Sequence, residues 1–198
     1  MARPCQVEVW RHAPRGPDGL VTPAGWALAS RIAETLRRPY AVVLAGTAPS
    51  CIQTARAFGF SDYRVDAVFD SPAAETLGDL LPKIQRAAEE RALTLLEAFL
   101  RVPETRELLF ETGERLLQAI RRVAERLPAG ARALAVTHAG SIEPAVLLAV
   151  GAYGGAPLEF IRECEGAAFA LEGSEIVAVT SLPTPPGVAP HRPSRPPA

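Results

Sequence analysis

Apolar residues along this chain fall into short continuous runs that alternate with longer stretches of three- and four-residue spacing, the pattern of a parallel sheet interleaved with helices. Gln6 to Trp10 is β-favouring and runs into the polar pair Arg11-His12, which predicts a buried strand ending at a loop. Thr22-Pro23 has the form of an N-cap with proline at the first helical position, and helical spacing follows to Leu36. Tyr40 to Ala45 predicts a second strand, Gly46-Thr47-Ala48-Pro49 a turn, and Ser50 to Phe58 a second helix. The opening is therefore βαβα.

Further along, Asp62 to Phe69 has room for a short strand, and the segment FDSPAAETLGDL after it takes no assigned conformation. Leu80 to Leu100 and Thr112 to Leu127 are predicted as amphipathic helices separated by Pro103. Ala131 to Thr137 is a strongly apolar strand that ends at His138-Ala139-Gly140-Ser141, with a helix over Ile142 to Val150 behind it. Gly166 to Leu171 and Glu175 to Thr180 read as two more strands, joined by a turn at Glu172-Gly173-Ser174. The predicted fold class is α/β: a three-layer sandwich with a mostly parallel central sheet and helices on both faces. Seven of the nineteen prolines fall in the last sixteen residues, so the chain divides into one domain over 1–182 and a proline-rich tail, disordered or extended, over 183–198.

Composition narrows the partners. At 198 residues and 48% hydrophobic, the chain can bury a core without disulfides. A net charge of -1 with no run of like charges offers no phosphate-neutralising surface, so nucleic acid is not expected as a partner. No stretch approaches the roughly 18 apolar residues of a membrane span. Three widely spaced cysteines, Cys5, Cys51 and Cys164, fit neither a disulfide framework nor a zinc site, and a cytoplasmic location is expected. A homodimer is compatible with the long apolar helices, which core packing explains equally.

Of three histidines, His191 lies in the tail, while His12 and His138 both stand just after predicted central strands. Taken singly, either is more often an ordinary hydrogen-bonded or surface histidine. Together they fall where loops and helix N-termini of an open parallel sheet converge on a ligand. A neutral imidazole is nucleophilic near pH 7, and an adjacent arginine offers a planar fork to phosphoryl oxygens, so Arg11, His12 and His138 suit phosphoryl transfer. Neither HxxxH nor HExxH spacing occurs, so no metal or cofactor is expected.

Three segments resemble the signatures of the histidine phosphatase superfamily, the group containing the phosphoglycerate mutases. VEVWRHA is similar to the family's strand with Arg-His-Gly, with Ala13 in the glycine position, and Thr22 to Gly25 keeps its Thr-x-x-Gly. Gln53-Thr54-Ala55 matches the end of the second signature, where Ser50 takes the place of an arginine, and AVTHAG matches the third. The resemblance implies that His12 is phosphorylated while Arg11 and His138 hold the non-bridging oxygens, and that a carboxylic acid protonates the leaving group. Glu75 and Asp70 are the nearest candidates for that acid; a solvated loop carboxylate is the plainer reading of each. Arg15, or less simply Arg56, offers a guanidinium for the place lost at Ser50. The expected function is a metal-independent phosphohydrolase acting through a phosphohistidine on a phosphomonoester or a phosphorylated protein. The alternative is a weak or inactive family member that binds a phosphorylated ligand or a protein partner.

Overall fold

The computed structural model describes residues 3–71, 80–150 and 159–185. Six strands form one sheet: β1 (Cys5–Arg11), β2 (Val42–Ala45), β3 (Arg64–Val65), β4 (Arg132–Thr137), β5 (Gly166–Glu172) and β6 (Glu175–Leu182). Their order is β3-β2-β4-β1-β5-β6. The first four are mutually parallel, and β5 and β6 continue the sheet antiparallel beyond β1.

Helices α1 (Pro23–Ala33) and α2 (Pro49–Ala57) follow β1 and β2. Trp10, Val43 and Val136 of the sheet pack with Leu28, Ile32, Ala55 and Phe58 from this pair. The opposite face is covered by α5 (Pro103–Ala124) and α6 (Ile142–Val150), whose Leu116, Ile120, Ile142 and Ala145 meet Val7, Val9, Ala135 and Phe169. Alternation along β1 accounts for the split, because successive side chains of a strand point to opposite faces. Two shorter helices, α3 (Leu81–Glu90) and α4 (Leu95–Arg101), add a satellite cluster around Ile84, Leu96 and Phe99. The result is the three-layer α/β arrangement expected from the sequence.

The middle of the chain corrects the expected helices. Leu80 to Leu100 is two helices, because Ala92 takes a left-handed φ of 49° and Thr94 starts a new helix with a capping box to Glu97. Pro103 does not merely separate helices; it occupies the first turn of α5, where a missing N–H costs nothing, and α5 runs from there to Ala124. Asp62 to Phe69 contributes only the two residues of β3 before a 3-10 turn at Ala67–Phe69. Pro183 to Pro185 is described and non-regular, and the rest of the tail, His191 included, lies outside the described residues.

No helix among the described residues is long and apolar enough to cross a membrane. Ile120 is fully buried between α5 and the sheet, so Ile120→Ala should lower stability by about 2–5 kcal/mol in chemical denaturation. A loss under about 1 kcal/mol would contradict this packing.

Candidate active site

Strands β1 and β4 pair in register with Arg11 beside Thr137, so the residues that follow, His12 and His138, leave the sheet side by side. Their rings lie 5.1 Å apart, inclined at 69°. The backbone N–H of His12 donates to the Thr137 carbonyl at 2.9 Å, extending the ladder to the base of the site.

Helix α2 clamps the loop after His12. Thr54 Oγ1 accepts from the Ala13 N–H at 2.8 Å and donates to the Ser50 carbonyl at 2.6 Å. Gln53 Oε1 accepts from the Val21 N–H at 2.6 Å. From the other side, Thr22 Oγ1 accepts from Gly25 N–H at 3.0 Å and donates to the Pro14 carbonyl at 3.3 Å. A Cβ at position 25 would sit 2.2 Å from the Pro14 oxygen, so this close approach requires glycine. The Thr-x-x-Gly and Gln-Thr sequence features thus have one physical task, to fix the backbone around His12.

That fixation sets the chemistry of the ring. His12 Nδ1 lies 2.7 Å from the Ala13 carbonyl oxygen, which can only accept, so the ring proton belongs on Nδ1 and Nε2 keeps its lone pair. Burial pushes the His12 pKa down to about 3; the Ala13 carbonyl opposes this, while His138, Arg11 and Arg15 add to it. His138 is lowered to about 4, by burial first and then by Arg15, with Asp70 pulling the other way and Arg11 adding a smaller push. Both rings are neutral at pH 7. His138 Nε2 lies 3.4 Å from Cys51 Sγ, and the thiol stays protonated because burial, then Asp70, push its pKa up to about 12.

The predicted site residues divide. Arg11 is half-buried and engaged: Nη1 donates to the Ile161 carbonyl at 2.6 Å and Nη2 meets Glu163 Oε1 at 2.7 Å, while its buried Nε has no partner among the described residues. Arg15 is exposed at a bridge with Val21, and its charge acts on His12, His138 and Cys51 alike. Ser50 is fully buried beside Cys51, its Oγ without a well-aligned hydrogen-bond partner. Asp70 braces the β2–α2 turn, accepting from the Thr47 N–H at 2.7 Å and the Thr47 hydroxyl at 2.6 Å. Arg56 points away, its Nε donating to the Tyr63 hydroxyl at 2.8 Å. Glu75 lies outside the described residues.

Three contributors are not evident from the sequence. Cys51 touches His138 from a position with no motif of its own. Glu163 reaches Arg11 from 152 residues away. Glu143 is fully buried; its two oxygens accept from Gly140 N–H at 2.6 Å and Ile161 N–H at 2.7 Å, tying the loop after His138 to the segment that holds Arg11. Glu143 sits three residues after Gly140, a spacing that favours such a bond, but the second amide is long-range. Burial raises its pKa, against the hydrogen bonds of its own backbone and of Ile161 and Gly140. Among the described residues no three His, Cys, Asp or Glu side chains are grouped to hold a metal ion.

Residues 9–171 match the histidine phosphatase superfamily (branch 1), and the chain belongs to that family. Solved structures repeat the fold at low identity. Phosphoglycerate mutase from Bacillus anthracis str. Sterne is 14% identical, with a TM-score of 0.66 over 91% of this chain and 93% of its own. Phosphoserine phosphatase from Entamoeba histolytica, in complex with 3-phosphoglyceric acid, is 12% identical with a TM-score of 0.68 over 93% and 100%. The protein histidine phosphatase SixA, complexed with tungstate, is 15% identical with a TM-score of 0.52 over 89% and 93%. No curated protein sequence matches the chain.

Two outcomes follow from this geometry. Unfolded histidines bind a proton near pH 6.5, the folded ones only near 4 and 3, so the unfolded chain holds more protons in between and stability rises with pH there. The unfolding free energy should therefore fall as pH drops from 6.5 towards 4, by up to about 1.4 kcal/mol per pH unit for each histidine, read by chemical denaturation. Glu143, shifted the opposite way, works against this trend, so the comparison is with His138→Asn, whose profile should be flatter than wild type; equal profiles would contradict the shift. Thr54→Val leaves the buried Ala13 N–H without its acceptor and should destabilise by about 1–3 kcal/mol in the same assay, with no change contradicting the clamp.

Proposed function

We propose that this chain is a metal-independent phosphohydrolase that uses His12 as the phosphoryl acceptor, on a phosphomonoester or a phosphorylated protein. The observation that carries the reading is the 2.7 Å contact between His12 Nδ1 and the Ala13 carbonyl, which leaves Nε2 unprotonated beside a second imidazole 5.1 Å away. Family membership supports the same class of chemistry.

In the proposed reaction, His12 Nε2 forms a bond to phosphorus as the bond to the ester oxygen breaks, and the leaving oxygen takes the electron pair and a proton. His138 donates to a non-bridging oxygen, and Arg15 and Arg11 neutralise the charge spread over the others. Arg11 does so while tied to Glu163, whereas Arg15 carries no ion pair among the described residues. Water then attacks the phosphohistidine, the P–N bond breaks, and neutral His12 is restored with inorganic phosphate released. The proton donor is assigned to Glu75 or Asp70. Asp70 acts electrostatically on His138 and Cys51, which supports its place near the hollow.

A second reading rests on Ser50 and on the Arg11–Glu163 pair: with one arginine replaced and another neutralised, the pocket binds a phosphorylated ligand without turning it over. Hydrolysis of p-nitrophenyl phosphate without added metal separates the two. Wild type should release p-nitrophenol while His12→Ala stays at background, and Arg15→Ala should lose on the order of 10²-fold in kcat/KM, as for removal of one charge-stabilising donor. Wild-type turnover no faster than His12→Ala across a broad pH range and a panel of phosphoesters favours the binding reading. For the acid, Asp70→Asn and Glu75→Gln are compared on alkyl and nitrophenyl esters: loss confined to the poor leaving group identifies the donor, and equal loss on both contradicts that role.

A further inference from the structure

A cavity of about 340 Å³ is lined by residues that adjoin His12 and His138 in the chain. Arg11 precedes His12 and Ala139-Gly140 follow His138, and the rest of the lining comes largely from α3, α4 and α5. Its walls are Leu81, Leu95, Phe99, Leu108, Leu109 and Phe160. The rings of Phe99 and Phe160 meet edge to face at 5.6 Å, which fixes the inner wall. Gly140 takes a left-handed φ of 81° there, with Leu109 and Phe160 each 3.9 Å from where its Cβ would be.

The polar side chains on this wall are Arg11, Ser71 and Thr112. The Thr112 hydroxyl donates to the Leu108 carbonyl at 2.7 Å, and Arg11 is held by Ile161 and Glu163. Arg11 is also the sole cationic side chain among the described residues that line the cavity. A leaving group bearing a carboxylate therefore finds no unpaired cation there, whereas an apolar one finds six hydrophobic side chains. Leu81 and Leu95 are 37% and 38% exposed, so part of their apolar surface is open to a bound apolar group.

We propose that this cavity receives the leaving group of the substrate, and that the substrates are phosphomonoesters of apolar alcohols or phenols rather than of carboxylate-bearing alcohols. This deepens the phosphohydrolase reading and rests on it for the orientation of the ester. The phosphoryl group sits between the imidazoles, and the ester oxygen faces Gly140 with its carbon substituent on Phe99, Leu109 and Phe160.

The test is a series of n-alkyl phosphates from ethyl to hexyl, with 3-phosphoglycerate and phosphoserine as charged comparators, and the matching n-alkylphosphonates for calorimetry. Burial of each methylene should raise kcat/KM roughly threefold to fourfold, on the order of 100-fold across the series, with the charged esters below hexyl phosphate. Leu95→Glu, at a half-exposed position that tolerates charge, should flatten that dependence, and Leu95→Ala should do so less. Hydrolysis whose rate is independent of chain length, or fastest with the charged esters, overturns the cavity assignment while leaving the enzyme reading intact. No hydrolysis with phosphonate affinity still rising with chain length overturns the enzyme reading alone. Flat phosphonate affinity without hydrolysis overturns both.

Discussion

Everything at the site depends on the register of β1 against β4. Parallel pairing of Arg11 with Thr137 delivers His12 and His138 together at the carboxyl end of the sheet. Register is strongly specified here because Val7 and Val9 pack under α5 while Trp10 packs under α1 and α2; a slip of one residue would exchange the two faces. The price of that placement is burial, which neutral imidazoles tolerate far better than imidazolium ions. Burial and neutrality are then the same fact seen from the sides of folding and of chemistry: the rings that stabilise the fold uncharged are the rings able to attack and to donate.

Charge is distributed unevenly around this hollow. Arg11 is drawn to one side by Glu163 and by the Ile161 carbonyl, and Glu143 fixes that side by joining Gly140 to Ile161. The opposite side holds Ser50 and Cys51, sealed from solvent, and Ser50 is the position at which the sequence resemblance implies an arginine. Arg15 lies in the loop that Gln53, Thr54 and Thr22 anchor, and its charge acts on His12, His138 and Cys51. Proposed catalysis thus draws on one exposed guanidinium, Arg15, besides the paired Arg11, with the low-dielectric surroundings of the imidazoles strengthening their effect.

The framework was legible in the sequence wherever local signals agreed. Continuous apolar runs located β1, β2 and β4, the Thr22-Pro23 cap located α1, and helix α6 was bounded correctly at Ile142 and Val150. Failure came where a short local motif competed with periodicity. The Leu80 to Leu100 pattern hides the capping box of Thr94 and Glu97, and Pro103, which reads as a break between helices, stands at a helix start. At the site, His12, Arg11 and His138 stood out because they follow strands. Cys51, Glu143 and Glu163 did not, because their contacts are set by tertiary packing across 87, 18 and 152 residues. The apolar wall formed by Leu95, Phe99 and Phe160 was equally hidden, since each reads in isolation as helix core or loop.

The chemistry proposed here requires His12 to be a neutral imidazole with its proton on Nδ1. Long-range ¹⁵N–¹H correlation spectra of the labelled protein, assigned with His12→Ala, report the tautomer and its titration directly. His12 should show a protonated Nδ1 and a bare Nε2, unchanged from pH 8 down to pH 5. A proton on Nε2, or conversion to imidazolium near pH 6.5, would contradict it.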